Sequence, residues 1–260
     1  MPNFYTHLKF AREVFWGLSP DLQKRLSREW GAYLSGNFGP DPLYFANNAL
    51  RQVGLSIHHG SGRKAMEPFR QALERGTPWS ESFVSGYFLH FLLDSAMHPV
   101  VYAAMEETGC SHRRVEGELD RMLMEKDKIS HREAFPSLKY VRAYSPMAAQ
   151  MAPGVTPEDY RRGLVQFRNA SLKLCDWTGT PMGPILSGAS LLPGIHGLRG
   201  AVLAGKPDRR LKKTLPELER VFSETVERAP ALLEEFLDCA RSGKPFPAVL
   251  DCDYSGNEVR

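Results

Sequence analysis

The feature that most constrains the fold of this chain is the stretch of residues 82–97, in which apolar side chains fall on almost every face of a helix. A helix that is apolar all round is a buried helix, so we predict that this stretch lies in the middle of the domain. His90, Asp94 and His98 are spaced four residues apart within it, which places them on one face of the helix. Pro99 follows directly, and we expect it to end or kink the helix.

The remainder of the sequence also has the period of helices. A long amphipathic helix is predicted over 215–240, with a possible break at Pro230, and no alternating pattern of useful length predicts a strand. Helix starts are indicated where a Ser or Thr stands at the cap position, at Ser19-Pro20, Thr77-Pro78, Ser111 and Thr156-Pro157. With 260 residues, 42% of them hydrophobic, the chain can bury one sizeable core. We therefore predict an all-α fold in a single multi-helix domain over residues 1–260.

The overall charge argues against a bulk electrostatic binder. The 33 basic and 30 acidic residues leave a net charge of +3, so no strong field favours nucleic acid or anionic lipid. Residues 1–7 lack the pattern of a signal peptide, and no run of about 18 apolar residues predicts a membrane span, so we expect a cytoplasmic protein. Four widely separated cysteines fit free thiols and leave any metal site to histidines and carboxylates; they are Cys110, Cys175, Cys239 and Cys252.

A second polar set with the same spacing lies on the next predicted helix. His112 and Glu116 are four residues apart, and Asp120 lies one further turn along the same line. Taken alone, the pair fits an exposed contact between neighbouring turns of a helix. The three polar side chains of the buried helix also fit two readings without metal, a hydrogen-bonded network or a polar stripe that faces solvent.

Further candidates lie outside these two helices. His7 on the first predicted helix fits a core histidine, and His58-His59 fits a surface pair. Asp41 fits a turn former in the irregular loop 35–42, where two prolines restrict the residues before them. Jointly with the helical sets, these side chains offer more nitrogen and oxygen ligands than one tetrahedral zinc ion can use. We therefore predict a polynuclear site, with the ligand candidates His7, Asp41, His58, His90, Asp94, His98, His112 and Glu116.

Five segments in the first half of the chain carry a family resemblance. They are Met1-Pro2 with Thr6-His7, Gly39-Pro40-Asp41-Pro42-Leu43-Tyr44-Phe45, Ile57-His58-His59, the run from Gly86 to Pro99 and the run from His112 to Arg121. In order and spacing, over residues 1–125, they resemble the zinc-dependent phospholipase C family. The fungal single-strand-specific nucleases share the helical fold and the trinuclear site of that family. The resemblance therefore implies a multi-helix domain of this type with up to three zinc ions.

The resemblance also implies how the ligands are shared among the ions. The ligands of one zinc correspond to Asp41, His58, His90 and Asp94, and those of another correspond to His98, His112 and Glu116. The remaining ion corresponds to a site made by Asp94 as a bridge, by His7 and by the N-terminal residue, which is Pro2 once Met1 is removed. Two residues are expected behind the ligands rather than among them, and these are His59 and Asp120.

The reaction follows from what clustered zinc ions do. They lower the pKa of a bound water and neutralise charge that develops on phosphoryl oxygens. We predict a hydrolase in which a zinc-bound hydroxide attacks a phosphodiester in line, with Asp41 as ligand and general base. We expect a phospholipid or a small phosphate ester as substrate, no stable nucleic-acid partner and only transient membrane contact; the predicted loop 178–208 serves as a lid or as a hydrophobic connection. The alternatives are a single-strand nuclease or 3'-nucleotidase on the same fold, and a non-catalytic zinc-binding protein.

Overall fold

The chain is helical throughout the residues that the structure describes. The structure is a computed structural model, and it describes residues 4–76, 78–134, 145–173 and 206–259. These residues contain no β-strand, so the all-α prediction is confirmed, and no helix among them is both long and apolar enough to cross a membrane. The α-helices are α1 (Phe4–Gly17), α2 (Pro20–Arg28), α3 (Trp30–Gly36), α4 (Leu43–Ala46), α5 (Asn48–His58), α6 (Gly62–Met66), α7 (Arg70–Glu74), α8 (Pro78–Thr108), α9 (His112–Lys126), α10 (His131–Ala134), α11 (Ser145–Ala148), α12 (Pro157–Lys173) and α13 (Leu215–Arg241).

Short 3-10 turns supplement these helices, and the chain as a whole divides into two compact units. The turns are Glu67–Phe69, Ala149–Met151, Arg209–Lys212 and Ala248–Asp251. The small unit comprises Met1–Thr6, Pro99–Pro136 and Arg168–Val221. The large unit comprises His7–His98, Ser137–Phe167 and Phe222–Arg260. The single domain expected over residues 1–260 stays a prediction.

The first two thirds of α8 form the centre of the large unit. Residues 80–93 are all buried, which confirms most of the burial predicted for 82–97. Phe88 stacks on Phe236 of α13, with ring centroids 4.5 Å apart. On another side of the helix, the ring of Phe91 meets Tyr254 edge to face at 4.9 Å. Aromatic pairs of this kind contribute beyond the area they bury, so α8 is held on several sides.

A close helix contact brings α3 against α8 in the large unit. A Cβ atom added to Gly36, the last residue of α3, would lie only 2.0 Å from the backbone oxygen of Phe83. Only glycine permits this approach of two backbones. Asn37 follows immediately, and its side-chain amide donates to the backbone oxygen of Tyr33 at 2.9 Å. The contact therefore fixes the turn that follows α3 against α8. The predicted ligand Asp41 lies in that turn.

Neither proline ends its helix, so the predicted end at Pro99 and break at Pro230 are wrong, while the alternative of a kink at Pro99 stays a prediction. The helix α8 runs past Pro99 to Thr108, and α13 runs past Pro230 to Arg241. A proline inside a helix removes one hydrogen bond and costs about 3 kcal/mol. Burial of apolar side chains near each proline opposes that cost: Val101 and Ala104 are buried in α8, as are Ala229 and Leu233 in α13.

The predicted helix starts are confirmed where the structure describes them. The helix α2 begins at Pro20 after the cap residue Ser19, and α9 begins after Ser111, in both cases without a hydrogen bond from the cap side chain. Before α12, Thr156 and Asp159 form a reciprocal cap: the threonine hydroxyl donates to the carboxylate at 2.6 Å and accepts from the Asp159 backbone N–H at 3.1 Å. Such caps satisfy backbone donors that have no partner within the helix.

Within the small unit, α9 anchors the beginning of α1. The carboxylate of Asp120 accepts from the backbone N–H of Thr6 at 2.9 Å and from its hydroxyl at 2.5 Å. Tyr5 donates its hydroxyl to Asp127 at 2.5 Å. The N–H groups in the first turn of a helix have no partner within that helix, and a carboxylate there also complements the helix dipole. Asp120 therefore acts as a cap for the N-terminal turn of α1.

Candidate metal centre

Three histidines of the large unit have the same hydrogen-bonding arrangement. The Nδ1 atoms of His58 and His90 lie 2.8 Å from Gly54 O and 3.0 Å from Asn37 O. His98 Nδ1 lies 2.6 Å from a third backbone carbonyl. A carbonyl oxygen can only accept, so each Nδ1 carries a proton, and in a neutral ring the electron pair then lies on Nε2. Histidines that bind metals through Nε2 are commonly oriented in this way.

Two carboxylates face these lone pairs. Asp41 Oδ1 lies 3.3 Å from His58 Nε2 and 4.0 Å from His90 Nε2. Asp94 Oδ2 lies 3.6 Å from His90 Nε2 and 3.8 Å from His58 Nε2. The other oxygen of Asp94, Oδ1, is 3.1 Å from His7 Nε2. Asp94 thus presents one oxygen to His58 and His90 and the other to His7, as a bridging ligand would.

The charges in this cluster favour ionised carboxylates and a neutral imidazole. Burial lowers the pKa of His90 to about 4, and the neighbouring His7 lowers it as well. Burial alone would raise the pKa of Asp41, but the contact with His58 and the attraction of His90, once acid has protonated that ring, hold the pKa of Asp41 below its usual value. Burial would raise the pKa of Asp94 as well, but the attraction of His90 and His98 in their protonated forms lowers it below its usual value. At neutral pH His90 is therefore a neutral electron-pair donor beside two anions.

This arrangement fits a bound cation. The Nε2 atom of His90 is buried and has no hydrogen-bond partner among the residues that the structure describes. A lone pair and a carboxylate are both acceptors, so their close approach gains nothing unless a cation lies between them. Two ligand atoms of a tetrahedral zinc ion lie about 3.4 Å apart. Two groups have donor atoms that all lie within 4.8 Å of one another, His7 with His90 and Asp94, and Asp41 with His58 and His90.

Local structure explains how the sequence brings these residues together. His7 is on α1, His58 is the last residue of α5, and His90 and Asp94 lie on α8. Asp41 lies in consecutive turns in which its N–H donates to Phe38 O at 3.2 Å. Gly39 in the same turns has φ +52°, and a Cβ atom there would lie 2.3 Å from the His90 ring. Only glycine combines that backbone conformation with this contact, so the turn can rest directly on the imidazole.

The ligands predicted for another zinc come from both units. His98 belongs to the large unit, where its Nδ1 contacts Tyr254 O. His112 and Glu116 belong to the small unit, where His112 Nε2 lies 2.8 Å from Glu116 Oε1. The His112 ring also lies 5.5 Å from that of Tyr102. The grouping of these three ligands stays a prediction.

The remaining predicted residues have different positions. His59 caps the C-terminal end of α5 and is exposed, unlike the neighbouring His58. Asp120 is fully buried and holds Thr6, the residue that precedes His7 in the chain. Pro2 lies outside the described residues, as does the predicted loop 178–208 except for residues 206–208. The roles expected for Pro2, His59 and Asp120 stay predictions.

Sequence reasoning missed the groups that orient the histidines. Three of them are backbone carbonyls, of Asn37, Gly54 and Tyr254, and a carbonyl is present in every residue type. Tyr44 is the exception, since its hydroxyl lies 2.9 Å from His58 Nδ1. Its place in the segment 39–45, which carries the family resemblance, was a sequence signal for this group. The partners of metal-ligand histidines are therefore harder to predict than the histidines themselves.

Comparisons with known proteins agree with the chemistry of this cluster. A family model described as zinc dependent phospholipase C matches residues 6–149, more than half of the 260 residues of the chain. The matched range contains every predicted ligand except Pro2. Comparison with curated proteins and with solved structures found no significant match.

Proposed function

The chain belongs to the zinc-dependent phospholipase C family, and on that premise we propose that it hydrolyses the phosphodiester of a phospholipid or of a related head-group ester. The family indicates a zinc-dependent hydrolase of the phosphodiesterase type. The observation that carries the proposal is the buried His90 Nε2, which has no hydrogen-bond partner among the described residues and faces the carboxylates of Asp41 and Asp94. A hydrogen-bonded network without metal would use that atom, whereas a zinc centre requires its lone pair.

Zinc bound among these side chains would act as a Lewis acid toward phosphoryl oxygens and would lower the pKa of a bound water. The chain's own residues set up this chemistry. The backbone carbonyls of Gly54 and Asn37 hold the imidazoles of His58 and His90 so that Nε2 points at the two carboxylates. These hydrogen bonds restrict the orientation of both imidazoles, which reduces the reorganisation that the reaction requires.

Asp41 is proposed to accept the proton of the attacking water. Its carboxyl group is ionised at neutral pH, because its pKa lies below the usual value despite burial. It lies in a turn supported by hydrogen bonds from Asp41 N–H to Phe38 O and from Gly39 N–H to Gly36 O, at 3.2 and 2.8 Å. An ionised carboxylate held in a hydrogen-bonded turn suits a general base, which has to reach the proton without rearrangement.

Asp94 is proposed to hold two metal ions at once. Its two oxygens point toward different histidines, with Oδ1 3.1 Å from His7 Nε2 and Oδ2 3.6 Å from His90 Nε2. The His7 and His90 rings are stacked, with centroids 4.2 Å apart. A carboxylate whose two oxygens each face a different imidazole nitrogen suits a pair of cations, whose charges the carboxylate separates.

The test is hydrolysis by protein purified without chelators and checked for zinc by elemental analysis. We expect zinc-dependent release of the head group from short-chain phosphatidylcholine, with little cleavage of single-stranded DNA or of a 3'-nucleotide. Removal of zinc by a chelator should abolish the activity, and added zinc should restore it. The Asp238→Asn variant, which changes an exposed carboxylate on α13, serves as the control and should hydrolyse the lipid normally.

The other outcomes separate the alternatives. Cleavage of the nucleic-acid substrates but not of the lipid would assign a nuclease or nucleotidase activity on the same metal centre. A zinc-loaded protein that acts on none of the three substrates would contradict the proposed phosphodiesterase and favour a non-catalytic zinc protein. Protein without zinc would contradict both the metal centre and the activity.

A further inference from the structure

One residue far along the chain contacts two of the predicted ligands through its backbone. The N–H of Tyr254 donates to His58 O at 3.2 Å, and its carbonyl accepts from His98 Nδ1 at 2.6 Å. His58 is the last residue of α5, so its carbonyl has no partner within that helix. The peptide groups on the two sides of Tyr254 therefore link the end of α5 to the middle of α8.

The side chain of Tyr254 fixes this backbone in place. Its ring is fully buried and lies 4.6 Å from the ring of His58 and 4.9 Å from that of Phe91. Its hydroxyl lies 3.4 Å from the hydroxyl of Tyr87, which also belongs to α8. Aromatic contacts on several sides restrict both the ring and the carbonyl that is bonded to the same Cα.

The residues around Tyr254 are tied to the same unit at several points. Gly62 N–H donates to Cys252 O at 2.8 Å, and Arg63 forms a two-pronged ion pair with Asp251. The carboxylate of Asp253 accepts from the N–H groups of Ser255 and Asn257 at 2.8 and 2.9 Å, which closes a tight turn. The segment Cys252–Val259 thus reaches the histidines with a defined backbone path rather than as a loose strand.

We propose that Tyr254 is a positioning residue of the metal centre. Its carbonyl holds the proton of His98 on Nδ1, which leaves Nε2 of His98 as the electron-pair donor, and its N–H and ring fix the end of α5 that carries His58. The affinity for zinc then depends on a residue 156 positions after His98 in the sequence. The inference rests on the zinc centre of the proposed function and adds a group that does not touch the metal.

The experiment compares zinc affinity among three variants, measured by competition with a chromophoric chelator. Loss of a hydrogen bond behind a metal ligand lowers affinity by about 10- to 100-fold. Tyr254→Ala keeps the backbone groups but removes the ring that fixes their position, so we expect a loss of this size. Tyr254→Phe keeps the ring and the backbone contacts and should bind zinc within about threefold of the parent protein, since only one weak hydroxyl contact is lost. The control is Phe236→Ala, which also removes a buried aromatic ring from the large unit and should retain the parent affinity.

The absorption spectrum of the cobalt-substituted protein provides a readout that general destabilisation does not change. We expect Tyr254→Ala to alter the ligand-field bands, because His58 and His98 are no longer held, and Phe236→Ala to leave them unchanged. A folded Tyr254→Ala protein with parent affinity and parent spectrum would overturn the inference. A parent protein that binds no zinc would instead overturn the proposed function, so the two failures are distinguishable.

A measurement on the unaltered protein covers the case in which Tyr254→Ala does not fold. Long-range nitrogen–proton NMR spectra of the imidazole rings report which nitrogen carries the proton. We expect a proton on Nδ1 of His98 in both the metal-free and the zinc-loaded protein. A His98 ring protonated on Nε2 but not on Nδ1 in the metal-free protein would contradict a hydrogen bond to the Tyr254 carbonyl and overturn the inference.

Discussion

The predicted ligands of the two units differ in the hydrogen bonds that their imidazoles make. In the large unit, His90 Nε2 is buried without a hydrogen-bond partner among the described residues, 3.6 Å from Asp94 Oδ2. In the small unit, His112 Nε2 lies 2.8 Å from Glu116 Oε1, close enough for a direct hydrogen bond, and its side chain is 28% exposed. His90 Nε2 needs a cation to balance the carboxylate acceptor that it faces, whereas the small-unit pair makes a contact that helices often make without metal.

A spacing of four residues does not by itself identify a metal ligand. Both pairs, His90 with Asp94 and His112 with Glu116, have that spacing. What separates them is the anchored Nδ1 of His90, which leaves Nε2 as a lone pair. The contact of His112 places a proton between Nε2 and the carboxylate, and zinc would have to displace that proton. The comparison therefore predicts a tight site in the large unit and a weaker contribution from His112.

The largest expected effect is that of Asp94→Asn. An amide cannot supply the negative charge that both sets of histidines face, so we expect kcat/KM on short-chain phosphatidylcholine to fall on the order of 1,000-fold. The matched control is Asp238→Asn, an exposed carboxylate in the same unit, and it should keep full activity. An active Asp94→Asn protein would remove the bridging role from the account.

The stability of the zinc-free protein should decrease in acid because His90 is buried. Its pKa is about 4 in the folded chain, below the usual value of about 6.5, so the unfolded state binds more protons between these two pH values. Stability should therefore fall as the pH falls through that window, by about 3 kcal/mol in total. Urea unfolding at several pH values measures the slope, which His90→Gln should remove and the exposed His59→Gln should retain. A slope unchanged in His90→Gln would contradict the burial of a neutral imidazole.

The zinc affinities of His90→Gln and His112→Gln test the difference between the two units. Removing a metal ligand should weaken zinc binding by more than about 100-fold for His90, and by about tenfold for His112, whose Nε2 contacts a carboxylate directly. Isothermal titration with zinc gives both values. Equal losses at the two positions would show that the hydrogen-bonding difference between the units has no energetic consequence.

The smallest expected effect concerns Tyr44, whose hydroxyl lies 2.9 Å from His58 Nδ1. Gly54 O already accepts from that nitrogen at 2.8 Å, so Tyr44→Phe should weaken zinc binding by only about threefold. Titration under the same conditions as for His90→Gln provides the measurement. A loss as large as that of His90→Gln would mean that the hydroxyl, rather than the carbonyl, orients His58.

Sequence patterns predicted the elements well and their partners poorly. The buried stretch 82–97 and the cap at Thr156 lie in α8 and α12 as expected, because periodicity and caps are local properties. Pro99 and Pro230 do not end their helices, because burial in the folded chain opposes a local penalty. The carbonyl of Tyr254 could not be predicted at all, since a backbone acceptor has no residue-type signature and depends on the path of a distant segment.

The large unit is proposed to hold a zinc centre built around Asp94. The most direct test is elemental analysis of the parent protein and of Asp94→Asn after dialysis against a zinc buffer and gel filtration. We expect the parent protein to retain zinc and the variant to retain at least one ion fewer per chain. A parent protein free of zinc, or a variant with an unchanged zinc content, would contradict it.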